Sequence, residues 1–213
     1  MKTAILGLTG DPTHAGHAAM VNALLAMNYD RVALLIASQN PDKPHAPLPF
    51  AHRATLARLA VKDLNGAEIW EDEAALPHGG NNHTRDVLRA LCETRDIAGA
   101  TFVMGADSFA SFHLWGGYKE ILREHGVLVF PREGALDPYV AVHDVGLVTA
   151  LHDGDPYTVP PGCLAVAQNA ALPDVSSTAL RKHLTAGGDG GGFLTAAQLD
   201  YIRKQALYAP PIL

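Results

Sequence analysis

Short, nearly unbroken apolar runs recur along the chain at Thr3–Leu8, Arg31–Ala37, Glu68–Glu71, Ala100–Gly105, Gly126–Phe130 and Cys163–Gln168. Runs of this length, bounded by turn residues, predict strands buried on both faces. Between them lie segments with apolar residues at helical spacing. Ala18–Met27, Phe50–Val61 and Thr84–Thr94 are of this kind, the last with Val87, Leu88 and Leu91 on one face. Two further helices, Thr178–Leu184 and Thr195–Gln205, follow the last strand. Strand alternating with helix predicts an α/β fold: a Rossmann-like, doubly wound parallel sheet of five to six strands, helices on both faces, and a short C-terminal helical segment. The pattern reads as one domain over residues 1–213, with 175–213 as its C-terminal helical portion. Ligands of such sheets bind outside the carboxyl ends of the strands, where strand order reverses. Chemistry is therefore sought in three unusual loops: Gly7–His17, Gly105–Trp115 and Asp174–Arg181.

Composition narrows the partners. A chain of 213 residues suits one compact domain, and 48% apolar with 18% charged residues is ordinary globular content. The formal charge of −6 gives no general basic surface, which disfavours nucleic acid as a partner while leaving a small anionic substrate open. Cys92 and Cys163 have neither metal-ligand spacing nor disulfide-scaffold density. No run reaches the roughly 20 apolar residues of a membrane span, and the start of the chain lacks the pattern of a signal peptide. A soluble cytoplasmic protein without membrane contact is expected; a homo-oligomer is left open. There is no internal repeat. The glycines of Gly187–Gly192 read as a helix end and flexible loop, and Pro41–Pro49 and Pro156–Pro161 as loops.

The loop Gly7-Leu8-Thr9-Gly10-Asp11-Pro12-Thr13-His14-Ala15-Gly16-His17 follows a strand and precedes a helix. Glycines admit a close ligand, and N–H groups at a helix start attract phosphate. His14 and His17, three apart, share one face at a helical start, and Gly16 puts no side chain between them. The plain alternative is a chance pair of surface histidines in a chain that has 11. The loop is neither a Walker loop nor a dinucleotide fingerprint, and a zinc site would need further ligands.

Thr9…His14-Ala15-Gly16-His17 resembles the [ST]-x-x-x-x-His-x-Gly-His signature of the nucleotidylyltransferase superfamily, and Val175-Ser176-Ser177-Thr178-Ala179-Leu180-Arg181 resembles its Ile-Ser-Ser-Thr-x-x-Arg motif. Within that superfamily the chain resembles the nicotinate-nucleotide adenylyltransferase family. Asn40-Pro41-Asp42-Lys43 is similar to its Asn-Pro-x-Lys loop and Met104–Ser108 to its Gly-Ala-Asp-Asn loop. Phe112–Trp115 is similar to its Phe-x-x-Trp segment and Phe130–Gly134 to its Arg-x-Gly turn, while Tyr201–Tyr208 matches its last helix.

The resemblance implies attack of a mononucleotide phosphate on the α-phosphorus of ATP, with release of pyrophosphate. Such transfer rests on positioning and electrostatic stabilisation. His14, His17 and Arg181 are implied as catalytic, donating to ATP phosphates. Gly7, Leu8, Thr9, Lys43, Gly105, Asp107, Ser176, Ser177 and Thr178 are implied in ATP binding. Thr84, His83, Trp115 and Arg132 are implied at the pyridine mononucleotide. Mg²⁺ would be held chiefly by ATP phosphates and water, so no protein metal ligands are expected.

Each residue also has a plainer role: helix caps for Ser176, Ser177, Thr178 and Asp107, solvated charges for Lys43 and Arg181, core packing for Trp115.

The sequence departs from the family pattern in two places. Leu8 stands for a second glycine and Gly10 for phenylalanine in Gly-Gly-[ST]-Phe-Asp-Pro, and His83-Thr84-Arg85 stands for Tyr-Thr-Ala. The second departure keeps nicotinamide mononucleotide or another phosphorylated acceptor open. The first keeps open a nucleotide-binding sensor without turnover.

Overall fold

The computed structural model describes residues 1–38, 47–76, 82–132, 150–151, 159–167 and 170–209. Its strands are β1 (Thr3–Leu8), β2 (Arg31–Ile36), β3 (Ala67–Trp70), β4 (Thr101–Gly105), β5 (Gly126–Phe130), β6 (Ala150–Leu151) and β7 (Cys163–Val166). They form one sheet in the order β3-β2-β1-β4-β5-β7-β6, with all pairs parallel. The six longer strands are those the apolar runs predict, and the two-residue β6 adds an edge. Strand order reverses between β1 and β4, so the two glycine-bearing loops that follow them open at the same switch point.

The period-2 alternation of the strands sorts the core into two layers. Ile5, Ala33, Leu35, Phe102, Met104, Val127 and Val129 pack on one face, against Val87, Leu88 and Leu91 of α4 (Thr84–Thr94) and Ile121 and Leu122 of α6 (Tyr118–Glu124). Ala4, Leu6, Leu8, Val32, Leu34, Ile36, Leu128 and Phe130 pack on the other, against Met20, Val21 and Leu24 of α1 (Ala15–Ala26) and Ala57 and Val61 of α2 (Phe50–Val61). Burial of both faces is why these strands read as unbroken apolar runs. Two one-turn helices, α3 (Asp72–Ala75) and α5 (Ala106–Phe109), were not foreshadowed by periodicity, being too short to show one.

The C-terminal portion, α7 (Ser177–Thr185) and α8 (Ala196–Lys204), is no appendage. Val175, Leu180, Leu184, Leu194 and Ile202 form a third cluster with Leu56 of α2. This packing fixes the second motif beside the first loop. Among the described residues no helix is long and apolar enough to cross a membrane.

Candidate active site

The carboxyl ends of β1 and β4 face a cleft of about 390 Å³. Gly7, Leu8, Thr9, Gly10, His14 and His17 line it from the first loop, Gly105 and Asp107 from β4 and α5, and Ser176, Ser177 and Thr178 from the start of α7. His83, Thr84, Trp115 and Arg132 line it as well. One cleft thus gathers the residues expected from distant parts of the chain, with two exceptions. Lys43 lies outside the described residues. Arg181 is not in the lining but donates to a carbonyl of the first loop.

His14 is the N-cap of α1. The Gly16 N–H donates to His14 Nδ1 at 3.2 Å, and the His14 N–H donates to His17 Nδ1 at 3.2 Å. This reciprocal pair is a capping box built from imidazoles. The helix therefore starts at Ala15, three residues ahead of the apolar periodicity. Because each Nδ1 accepts a bond, the ring proton of both histidines sits on Nε2. The rings lie 4.0 Å apart between centroids, tilted by 42°. Burial, and secondarily the charge of Arg132, lowers the His14 pKa from 6.5 to about 4. His14 is thus a neutral donor near pH 7. A Cβ at position 16 would stand 3.0 Å from His14 Cε1, so glycine there is what leaves the ring its place.

The departures in the loop are accommodated. Leu8 is the last residue of β1, and its side chain joins the core under α1, while the residue also borders the cleft. Gly10 has φ +68°, a left-handed value that glycine takes freely and phenylalanine only under strain.

The carbonyls of the first loop accept side-chain donors from elsewhere in the fold. Thr9 O accepts from Arg53 Nη1 (2.7 Å), Asp11 O from Arg181 Nη1 (2.6 Å), Pro12 O from Ser177 Oγ (3.0 Å) and Thr13 O from Gln198 Nε2 (2.7 Å). Arg53, 1% exposed, also donates to Leu48 O, Ala37 O and Ser38 O, tying the ends of β1 and β2 to the entry of α2. Asp11, also buried, accepts from Tyr208 Oη at 2.6 Å. Arg181 Nη2 also reaches Thr178 Oγ1 at 3.2 Å, and Ser176 caps α7 by accepting from the Ala179 N–H. Ser177 and Arg181 therefore fasten one phosphate-type motif to the other. Arg53 and Gln198 carry no motif that would have announced them, and Tyr208 ends the Tyr201–Tyr208 segment without any sign in the sequence of its bond to Asp11.

At the far end, the His83 ring lies against Gly116, where a Cβ would stand 2.7 Å from His83 Nδ1. Trp115 meets Phe102 and Phe112 edge-on, with centroids at 6.4 and 5.4 Å. Packing of this kind holds the indole without covering all of it, since Trp115 also lines the cleft. Thr84 is the first residue of α4, whose N-cap His83 makes no side-chain cap. Arg85 pairs with Asp86 (Nε to Oδ1, 2.8 Å) and packs on Gly117, so it is not part of the cleft. Glu73 was not singled out by any motif. It is buried, lines the same end, and accepts from the Ser38 N–H and Oγ; burial pushes its carboxyl upward.

Arg132 spans the mouth, donating to Asp107 Oδ2 (2.7 Å) and Asp174 Oδ1 (3.3 Å). Among the described residues no three His, Cys, Asp or Glu side chains converge as a metal cage.

Known proteins resemble this chain in sequence and in fold. The cytidylyltransferase-like family model matches residues 9–183, which takes in both motifs. A probable nicotinate-nucleotide adenylyltransferase of Klebsiella pneumoniae is 32% identical over 96% of this chain and 96% of its own length. One from Solibacter usitatus is 32% identical over 98% of this chain and all of its own. The chain belongs to the nicotinate-nucleotide adenylyltransferase family. In three dimensions it is similar to Plasmodium falciparum nicotinic acid mononucleotide adenylyltransferase complexed with NaAD, with a TM-score of 0.75 and 17% identity over 98% of both chains. A putative nicotinate-nucleotide adenylyltransferase of Vibrio parahaemolyticus gives 0.63 at 21% identity, over 95% of this chain and 99% of that one. At these identities the two structures speak for the fold. Membership makes the chain a nucleotidyltransferase.

Proposed function

We propose that this enzyme transfers AMP from ATP to nicotinate mononucleotide, giving deamido-NAD and pyrophosphate. The observation that carries the reading is a single cleft with phosphate-type donors at one end and an aromatic wall beside a helix start at the other. ATP phosphates would lie between the His14–His17 pair and the start of α7. The Nε2–H groups of both histidines donate there without carrying charge. The α7 N–H groups and the Ser176 and Thr178 hydroxyls face the β- and γ-phosphates, and Ser177 joins them through its backbone N–H, its hydroxyl being spent on Pro12 O. Arg181, one turn into α7, supplies fixed charge as pyrophosphate leaves. Asp107 takes ribose or adenine donors, and Gly7, Leu8, Thr9 and Gly105 offer backbone; Lys43 completes the phosphate set. Trp115 stacks on the pyridine ring, Thr84 meets its carboxylate through the α4 N-terminus beside His83, and Arg132 meets a phosphate. Mg²⁺ enters with ATP and offsets phosphate charge when bound. We place the reaction in the cytoplasm and leave homo-oligomerisation to be measured.

Glu73 favours a second reading. A buried carboxyl at the pyridine end suits the amide of nicotinamide mononucleotide better than a second carboxylate. Pyrophosphate release with ATP and each mononucleotide separates the two. Turnover at least tenfold more efficient with nicotinate mononucleotide is expected. Preference for the amide would replace the first reading with the second, and absence of release with both would reject adenylyl transfer to a pyridine mononucleotide.

A further inference from the structure

Tyr208 lies at the end of a sharp turn after α8. Ala206 and Tyr208 both have left-handed backbones, with φ +50° and +57°. Two such residues within three positions, neither glycine, mark a conformation that the surroundings impose. The turn brings the phenol back to the first loop, 197 positions away in sequence, where Tyr208 Oη donates to Asp11 Oδ1 at 2.6 Å. Asp11 is 6% exposed. Its Oδ2 lies 3.4 Å from the Leu48 N–H and 4.0 Å from Arg181 Nη1. That same Nη1 donates to the Asp11 carbonyl at 2.6 Å. A buried carboxylate with so few donors would seize the nearest cation if left short of one.

We infer that Tyr208 is a positioning residue: by holding Asp11 Oδ1, its hydroxyl keeps the carboxylate from drawing Arg181 in closer than its 4.0 Å contact with Oδ2, so the guanidinium stays at the Asp11 carbonyl and Thr178, from where it can turn to ATP phosphates. The phenol suits the task because it is an uncharged donor. Burial, together with the bond to Asp11, raises its pKa, so it holds its proton throughout the working range. A lysine in its place would bring a third positive charge to a site that already holds Arg53 and Arg181. The inference rests on Arg181 acting on phosphates as proposed above.

The test is a double-mutant cycle on the full-length enzyme, reading pyrophosphate release with ATP and the preferred mononucleotide. Tyr208→Phe is expected to lower kcat about tenfold, less than the roughly hundredfold or more seen when a transition-state donor is deleted. The KM for ATP should change by less than about threefold. In an Arg181→Gln background, already slow, Tyr208→Phe should cost less than about twofold, because no guanidinium remains to be captured. Asp11→Asn, which keeps an acceptor but removes the charge, should likewise make Tyr208→Phe nearly silent. The same fold loss in all three backgrounds would show a merely structural tether, and unchanged kcat in Tyr208→Phe alone would equally overturn the inference. If Arg181→Gln by itself kept wild-type turnover, the placement of Arg181 at the phosphates would fall, and the role of Tyr208 with it.

Discussion

Replacing His14 by Asn should flatten the acid limb of the stability curve. Asn preserves the cap, since its Oδ1 can accept from the Gly16 N–H as His14 Nδ1 does. The two side chains differ in titration. Unfolded, His14 binds a proton near pH 6.5; folded, burial and the charge of Arg132 hold it neutral down to about 4. Between these values the unfolded chain carries the extra proton, so the native state loses stability as pH falls. The loss is absent above about pH 7 and complete below about pH 4. A span of about 2.5 pH units at about 1.4 kcal/mol each gives roughly 3.5 kcal/mol in total. About 2 to 3 kcal/mol of it should be expressed by pH 4.5. Urea unfolding of wild type and His14→Asn at pH 7.5, 6.5, 5.5 and 4.5 measures it, as the difference between the two curves. His125, also lowered by burial, is present in both proteins and cancels. Parallel curves, within about 0.5 kcal/mol at every pH, would refute a neutral His14 in the folded enzyme.

Three further outcomes follow from the packing. Gly16→Ala places a methyl 3.0 Å from His14 Cε1 in the first turn of α1. Helix propensity rises while the ring must move, so turnover should fall about tenfold or more with the unfolding midpoint unchanged or higher, checked by assay and melting on one preparation. Gly116→Ala puts a methyl 2.7 Å from His83 Nδ1, at the pyridine end only. It should raise the KM for the mononucleotide about tenfold and leave the KM for ATP alone, and equal effects on both would contradict the assignment of ends. Arg53→Met strands the carbonyls of Leu48, Thr9, Ala37 and Ser38. Urea unfolding should show a loss of more than about 3 kcal/mol, a surface-like change of under 0.5 kcal/mol being the contrary result.

The sheet was legible because its strands are buried on both faces, which leaves continuous apolar runs such as Thr3–Leu8. The two motifs were legible because each is a local run of residues at one strand-to-helix junction. What escaped was set by long-range contact. Arg53 reads as a helix charge, yet it is 1% exposed and bonded to backbone up to 44 positions away. Gln198 reaches Thr13 across 185 positions. No periodicity encodes such partners. The start of α1 was placed three residues late for a different reason: preferred caps are Ser, Thr, Asp and Asn, and an imidazole that caps through Nδ1 lies outside that rule. Arg181 shows a third kind of gap. Its place on a helix was evident, but only the fold reveals that its guanidinium is engaged by the first loop.

That engagement bears on how the cleft receives a polyanion. Its fixed charges are not bare: Arg132 is shared between Asp107 and Asp174, and Arg181 is held at Asp11 and Thr178. Arg132's carboxylate partners are mostly exposed, and such pairs contribute about 0 to 1 kcal/mol, so exchanging them for phosphate costs little. Asp11 is different, because its carboxylate is buried and cannot turn to water when a cation leaves. Something must hold it in every state, and the Tyr208 hydroxyl at 2.6 Å does so without charge. His14 follows the same logic, holding Nε2–H while neutral. On the proposed function, charge then sits on arginines that exchange partners, while geometry is held by the His14 cap and the Tyr208 phenol. On that reading the C-terminal turn, remote in sequence, belongs to the phosphate site as much as the loop it touches.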